Sequence, residues 1–381
     1  MKKFVKLSLV AAVAVAGLTT ANAKPLEEAI KGVDVSGTVA YQYNDRSNDD
    51  QSDKNNFTQS KYKIAITAKS NVTDDITFVS KTIIGTGNDM ASIDSGVSDI
   101  NATFALTQAN FVYTGLANTT FIAGKQAVPS PFAVQADSTG DENTGNGLTA
   151  VVNAGPVTVA GTYLQNTNLI TGGEAIAGLG VMANVGPVAL DAWYLDAAEA
   201  NDSSNDGHQA YTLGASAKIN VVSLYARYSA VKHDQDGADT ESLFKLGAKA
   251  KIGIVGFGLD YGMTNDINNA TGVKATGVAL HGDDDAEVGF QGWGLTLNGK
   301  DDADLTKINV NVDVTDSINL SANYNIFTID SVNNSDADEW VLQATHSVAK
   351  NFKYYVRFGQ VDSDAKTDKG TRGRLNIVYS F

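Results

Sequence analysis

The chemistry open to this sequence lies in a set of basic side chains and a short run of acids. Lys63, Lys81, Lys125, Arg227, Lys245, Lys249, Arg357 and Arg374 each stand on the polar side of a stretch whose residues alternate between apolar and polar. Gln42, Asn309, Asn311, Asn323, Asn325 and Asn376 hold the same parity. Asp137, Asp141 and Glu142 fall in a link of about residues 127–146 that opens on Pro129, Pro131 and Phe132. An apolar, proline-stiffened start suits a segment packed inside a structure better than one loose in water. Fixed cations facing fixed anions across a narrow aqueous gap order water and sort solutes by size and sign. That is selection without bond-making.

Bond-making chemistry has little support. There is no cysteine, hence no thiol nucleophile and no disulfide framework. The histidines, His208, His233, His281 and His346, are scattered, and no G-x-S-x-G, H-E-x-x-H or phosphate-loop pattern occurs. His346 sits on an apolar parity without a serine at its level, which reads as an interfacial histidine rather than a catalytic one. The expectation is a protein that is not an enzyme. The acidic run Asp283, Asp284, Asp285 with Glu287 could hold Ca²⁺, or bridge to lipopolysaccharide through divalent cations. Its spacing matches no calcium-loop pattern, and a solvated acidic surface is the simpler reading. No cofactor is required.

The elements that carry these side chains read as strands. In Val33 to Asn44, Val33, Val35, Val39, Tyr41 and Tyr43 share one face, while Asp34, Ser36, Thr38, Gln42 and Asn44 share the other. The chain closes in the same way. Leu375, Ile377, Tyr379 and Phe381 alternate with Arg374, Asn376 and Ser380, with Val378 the one apolar intruder. A strand with an apolar face at the very end of a chain invites aggregation in water. In a bilayer it is what a barrel needs to pair with its first strand, and the terminal aromatics Tyr379 and Phe381 suit an assembly signal. Between these ends, tight joints such as Ala154-Gly155-Pro156 and Val185-Gly186-Pro187 alternate with long polar links. The fold class expected is all-β, a transmembrane antiparallel β-barrel of about 18 strands with short periplasmic turns and long extracellular loops.

Tyr43, Tyr62, Tyr194, Tyr211 and Trp340 lie on the apolar face near the long links, and Phe352, Tyr354, Tyr379 and Phe381 near the short turns. Two aromatic girdles around an aliphatic band fit a membrane rather than a soluble sandwich. A barrel of this strand number is too wide to be filled by its own side chains and encloses water.

Lys2, Lys3 and Lys6, an apolar run from Leu7 to Leu18, and Ala21-Asn22-Ala23 form a secretory signal peptide over residues 1–23, with cleavage between Ala23 and Lys24. Residues 24–381 then form the barrel domain, including the link 127–146 and a long acidic loop of about 263–302. The whole chain carries 28 basic and 43 acidic residues. Such an acidic balance argues against nucleic acid and suits an aqueous path that attracts cations.

The run K-P-L-E-E-A-I-K-G-V-D-V-S-G-T-V-A-Y-Q-Y-N at Lys24 to Asn44 resembles the mature start of the major outer membrane porin of Campylobacter and related epsilon-proteobacteria. The signal segment K-L-S-L-V-A-A, G-K-Q at Gly124 to Gln126 and the closing R-L-N-I-V-Y-S-F resemble that family too. The resemblance implies a homotrimeric, 18-stranded porin in the outer membrane with an internal constriction loop. It implies general diffusion of small hydrophilic solutes and ions, a cation preference, and contacts with outer-membrane lipid and lipopolysaccharide. Members have also been linked to calcium binding and host-cell adhesion. Two other readings stay open, a surface barrel that only displays its loops and a substrate-specific channel. For the latter the lumen parity offers only Tyr225 and Tyr355 as aromatic contacts.

Overall fold

The computed structural model describes residues 32–48, 56–93, 102–170, 175–198, 207–233, 240–266, 285–330, 336–364 and 369–381. The expected signal segment, with Ala23 and Lys24, lies outside them. Alternating runs form β1 (Val33–Asn48), β2 (Phe57–Asn71), β3 (Ile76–Gly85), β4 (Ala91–Ile93), β5 (Thr103–Tyr113) and β6 (Thr119–Ala127). They continue as β7 (Thr144–Ala154), β8 (Val157–Thr167), β9 (Ile176–Val185), β10 (Val188–Ala197), β11 (His208–Ile219) and β12 (Val222–His233). The last are β13 (Glu241–Ile252), β14 (Val255–Thr264), β15 (Ala303–Asp313), β16 (Ile318–Ile329), β17 (Ala337–Ala349), β18 (Phe352–Ser363) and β19 (Gly370–Ser380).

All belong to one antiparallel sheet that closes on itself where β1 meets β19. Closure leaves no sheet edge, the condition for crossing hydrocarbon with strands. β4 lies inside the stretch expected to be a plain link. β2 pairs with β3 up to Ile64↔Ile84 and then with β4 from Tyr62↔Ala91. β4 therefore resumes the line of β3 after an excursion, Thr86 to Met90, closed by the bridge Thr86↔Asp89. The wall is 18-stranded, the number expected.

The tight joints gather at one end with the start of β1 and the end of β19. Gly155 and Gly186 open two of them at φ of 63° and 60°, each followed by proline. A left-handed first position costs glycine little, and proline supplies the negative φ of the second, so the strands reverse within two residues. The outer face is aliphatic, with Leu148, Leu179, Leu213, Leu259, Leu342 and Val356 all more than half exposed. Tyr194 and Tyr211 stand on that face toward the long links, and Tyr379 and Phe381 toward the tight joints.

The inner face holds the polar parity, with two local departures. A bulge in β5 opposite Lys81 and Thr82 turns both Thr107 and Gln108 inward, at 0% and 7% exposure. Val378, the intruder on the polar side of β19, packs inside with Ala40 and with Met90 of the excursion. An inward apolar residue there is accounted for by a chain segment that folds in to meet it.

The closing seam runs from Thr38↔Ser380 to Asn48↔Gly370. Phe381 extends it by exchanging two backbone hydrogen bonds with Gly37, at 2.9 and 3.0 Å. A Cβ on Gly37 would lie 2.7 Å from the Phe381 ring, so the ring covers the bare glycine backbone. Deleting Phe381 removes both bonds and this cover at the edge that must close. The expected outcome is a lower yield of compact barrel, read as loss of the fast-migrating band on unheated gels, with Phe381→Tyr close to wild type.

Candidate functional site: a lumen crossed by two infolded loops

The link between β6 and β7, Val128 to Asn143, folds into the barrel. Asn143 clamps its two arms: its N–H donates to the Val134 carbonyl at 2.7 Å, and its Oδ1 accepts from the Val134 N–H at 2.7 Å. Its carbonyl accepts from Val128 N–H at 3.1 Å. The proline-bounded turn between the arms buries Val128 and Phe132 at 0% and 1% exposure. They pack on inward apolar residues near the long-link ends of the wall, among them Leu164, Ile176, Leu195, Val231 and Leu243. The burial is hydrophobic and removes water from the loop's inner side.

Charge then ties the loop to the wall. Glu142, 1% exposed, accepts from Lys63 Nζ at 3.2 Å and from Lys81 Nζ at 2.5 Å. Lys63 Nζ also donates to the carbonyl oxygens of Asp137 and Gly140, both at 2.8 Å. Lys63 stands on β2 opposite the gap left by the excursion, beneath the loop rather than on open lumen surface, with 1% of its area exposed. An ammonium this buried is tolerable only when carboxylate and carbonyl oxygens surround it. Asn88 of the excursion and Asn168 beyond β8 each donate to the Glu142 carbonyl at 2.9 Å. Glu142 therefore does not look across the gap at a far wall; its partners are on the strands directly under it. Asp141 is exposed, and Asp137, half-buried, accepts from Thr139 N–H at 2.8 Å.

A second loop enters from the other side. In the link between β14 and β15, Val288, Phe290 and Leu297 are buried and join the same apolar cluster. Gly292-Trp293-Gly294-Leu295 forms a tight reversal, closed by Gly292 N–H to Leu295 O at 2.7 Å and flanked by the bridge Gln291↔Thr296. Three further cations of the wall hold this loop. Arg227 holds Asp191 through two bonds of 2.9 Å and reaches Glu287 at 2.5 Å. Lys245 donates to the carbonyls of Glu287 and Gly289, and Lys307 to that of Gln291 at 2.8 Å. Glu339 on β17 accepts from Trp293 N–H at 2.9 Å. The two loops meet where Val288 N–H donates to Pro131 O at 3.1 Å. Together they span the lumen from β2 and β3 to β12–β19.

Of the residues singled out from sequence, Lys63, Lys81 and Glu142 come together under the first loop, and Arg227, Lys245 and Glu287 around the second. Arg357 and Arg374 flank Trp293, with guanidinium carbons 5.2 and 5.6 Å from its ring centroid. Lys125 is half-buried on β6, and Lys249 lies 6.0 Å from the Tyr225 ring. Asp285 accepts from Gln291 at 2.7 Å, Asp283 and Asp284 lie outside the described residues, and no group of three or more acids and histidines is placed to hold a metal among those described.

Sequence reasoning missed Asp191, Lys307 and Glu339, while for Gly292 to Leu297, Trp293 included, it leaves open a short extra strand or a dip towards the pore, and the segment turns inward. The three charged ones share the polar parity that marked the others. The run A-E-V-G-F-Q-G-W-G-L-T-L was a further signal, since so apolar a loop needs an apolar partner. Leu195, Val231, Leu243 and Phe327, apolar on the inward parity near long links, are that partner.

Replacing Glu142 by Gln leaves the Lys63 and Lys81 ammoniums without their carboxylate, a change that costs about 3–5 kcal/mol for a buried pair. The expected result is a barrel that still assembles but whose first loop detaches from the wall. Single channels should then show added current noise, and a protease should cut within residues 128–143 that it spares in wild type.

No curated protein sequence matches this chain. Among solved structures it is similar to OccAB3 of Acinetobacter baumannii, at TM-score 0.69 and 12% identity over 92% of this chain and 99% of that one. It is similar to OccD3 (OpdP) of Pseudomonas aeruginosa, at TM-score 0.67 and 12% identity over 92% and 91%. A BenF-like porin from Pseudomonas fluorescens Pf-5 gives TM-score 0.67 and 12% identity over 92% and 99%. At such identities these likenesses establish the barrel architecture. The family model described as Campylobacter major outer membrane protein matches residues 1–339. A match over so much of the sequence, on a closed barrel with a loop-crossed lumen, shows that the chain belongs to the Campylobacter major outer membrane protein family: it is an outer-membrane porin, a channel.

Proposed function

We propose that ions and small hydrophilic solutes diffuse passively through the lumen and that cations are preferred at the loop crossing. The observation that carries the preference is where charge meets water. Asp141 on the first loop and Asp285 on the second are exposed, and the Glu287 side chain is 65% exposed. The cations beneath them are spoken for: Lys63 and Lys81 share Glu142, and Arg227 holds Asp191 and Glu287. Exposed acids above paired bases leave a negative entrance, which concentrates cations within about a Debye length of ~10 Å. The acidic balance of the whole chain acts in the same direction.

Residues 1–23 act in this reading as the leader, cleaved after Ala23, and Tyr379 with Phe381 as the assembly mark. Lysines facing loop oxygens, with Asp137 and Glu142 at the first loop, hold the constriction. The assembled form is a homotrimer in outer-membrane lipid.

In a planar bilayer with a KCl gradient, the purified protein should conduct in steps and reverse toward the potassium equilibrium potential. Asp137→Asn with Asp141→Asn should move the reversal potential toward zero, each charge supplying roughly 1 kcal/mol at close range in water. An unmoved reversal potential would sink the assignment of the first loop to the selective point. Amino-terminal sequencing of the mature protein should begin Lys24-Pro25-Leu26, and an intact Met1 would remove the leader from this account.

A further inference from the structure

Within the lumen one pair of cations is set apart from those that hold the loops. Arg357 on β18 and Arg374 on β19 are direct register partners on the inward face, so their side chains leave the wall side by side. Like charges set opposite one another in this way repel. The cations that hold the loops, Lys63, Arg227 and Lys245, are answered with an acid or with loop carbonyls. Here it answers with neutral amides. Arg357 Nε donates to Gln343 Oε1 and Arg374 Nε to Asn44 Oδ1, both at 2.7 Å. Neither guanidinium forms an ion pair among the described residues. The nearby Glu339 carboxylate keeps Oε2 on Asn325 Nδ2 at 2.7 Å and on the Trp293 N–H at 2.9 Å, and its charge, with that of Asp285, acts on Arg357 through space rather than by a hydrogen bond.

The pair is also held rigidly. Trp293 reaches across on the second loop, and both guanidiniums lie against its ring. Gly359 makes room, since a Cβ there would come within 3.3 Å of the indole. Arg357 has Tyr355 as a second aromatic neighbour, 5.0 Å from its ring centroid. Aromatic contact and an Nε hydrogen bond orient each guanidinium plane. Both arginines are half-buried, so part of each inward-facing side chain stays open to the lumen. Two oriented forks side by side match the two oxygens of a planar carboxylate, which accepts paired N–H···O bonds from such an edge.

We infer that Arg357 and Arg374, set by Trp293, Gln343 and Asn44, form a transient binding subsite for the carboxylate group of small solutes crossing the pore. It gives carboxylate-bearing solutes a foothold beyond an entrance that otherwise disfavours anions. The inference rests on the reading of the lumen as an open diffusion path.

The test is single-channel recording of the purified full-length protein in KCl with added sodium succinate, compared with its uncharged analogue succinamide and with inorganic phosphate. Succinate should interrupt the current in a concentration-dependent way and succinamide should not, with phosphate weaker than succinate. Arg357→Gln and Arg374→Gln should each raise the apparent dissociation constant for succinate at least about tenfold, the loss of one charge-assisted contact. Arg374→Lys should fall between them and wild type. Compact assembly of each variant is checked by unheated gel mobility. Equal interruption by succinate and succinamide in wild type overturns the subsite without reference to any variant, as does unchanged succinate affinity in the assembled double variant. Phosphate acting as strongly as succinate overturns the carboxylate assignment. Absence of KCl steps would count against the porin reading itself, whereas steps without succinate sensitivity count only against the subsite.

Discussion

A chain that crosses hydrocarbon with strands must pair every backbone N–H and C=O within itself, because no water is there to take them. The seam between β1 and β19 meets that demand, and the rest of the structure depends on it. Every other pair of neighbouring strands would form equally well in an open sheet. Only the seam turns the sheet into a wall with two sides, one apolar and one wet. The side chains along it reflect both roles: Phe381 covers Gly37 at the last rung, while Arg374 and Asn376 on the same strand face the lumen.

Closing so many strands creates a second problem, an interior too wide for wall side chains to fill. Two loops narrow it, joined to each other by a backbone hydrogen bond and to the wall by a shared apolar cluster. Hydrophobic burial draws them in, and basic residues fix where they stop. Lysines that cap loop carbonyls make this possible, because an irregular backbone turned inward has carbonyls that no ladder satisfies. Lys63 takes two of them and Lys245 two more. Much of the basic wall is thus structural in its action, and selectivity passes to the charges left at the water surface.

Those charges form two unlike regions. Acids stand on the water side of both loops, over bases already paired. On β18 and β19 two arginines stand with amide and aromatic partners in place of acids. On the proposed reading, one lumen offers a cation-attracting stretch and an anion-accepting one at different places on its wall, so a solute bearing both signs meets a complementary group in each.

Strict alternation in β1 and β19, the tight Gly-Pro joints and the aromatic levels made the wall, its strand number and its membrane setting readable in advance. These depend on local periodicity and on the bilayer, and both act on short stretches of chain. Parity likewise placed Arg227, Lys245 and Arg357 on the inner face. The sequence could not say which inner charges would meet. Glu142 and Lys63 are 79 positions apart, and Arg227 and Glu287 are 60 apart. Each pair is settled by how deep a loop enters and which strand lies beneath it. That depth follows from an apolar cluster assembled from many strands at once, to which Leu195, Val231 and Phe327 each contribute one apolar residue on an otherwise polar parity. Alternation by itself determined a water-filled barrel. Only the tertiary structure decided which of its charges hold the loops and which face the passing solute, because pairing between loop and wall is set by distance in space, not by spacing along the chain.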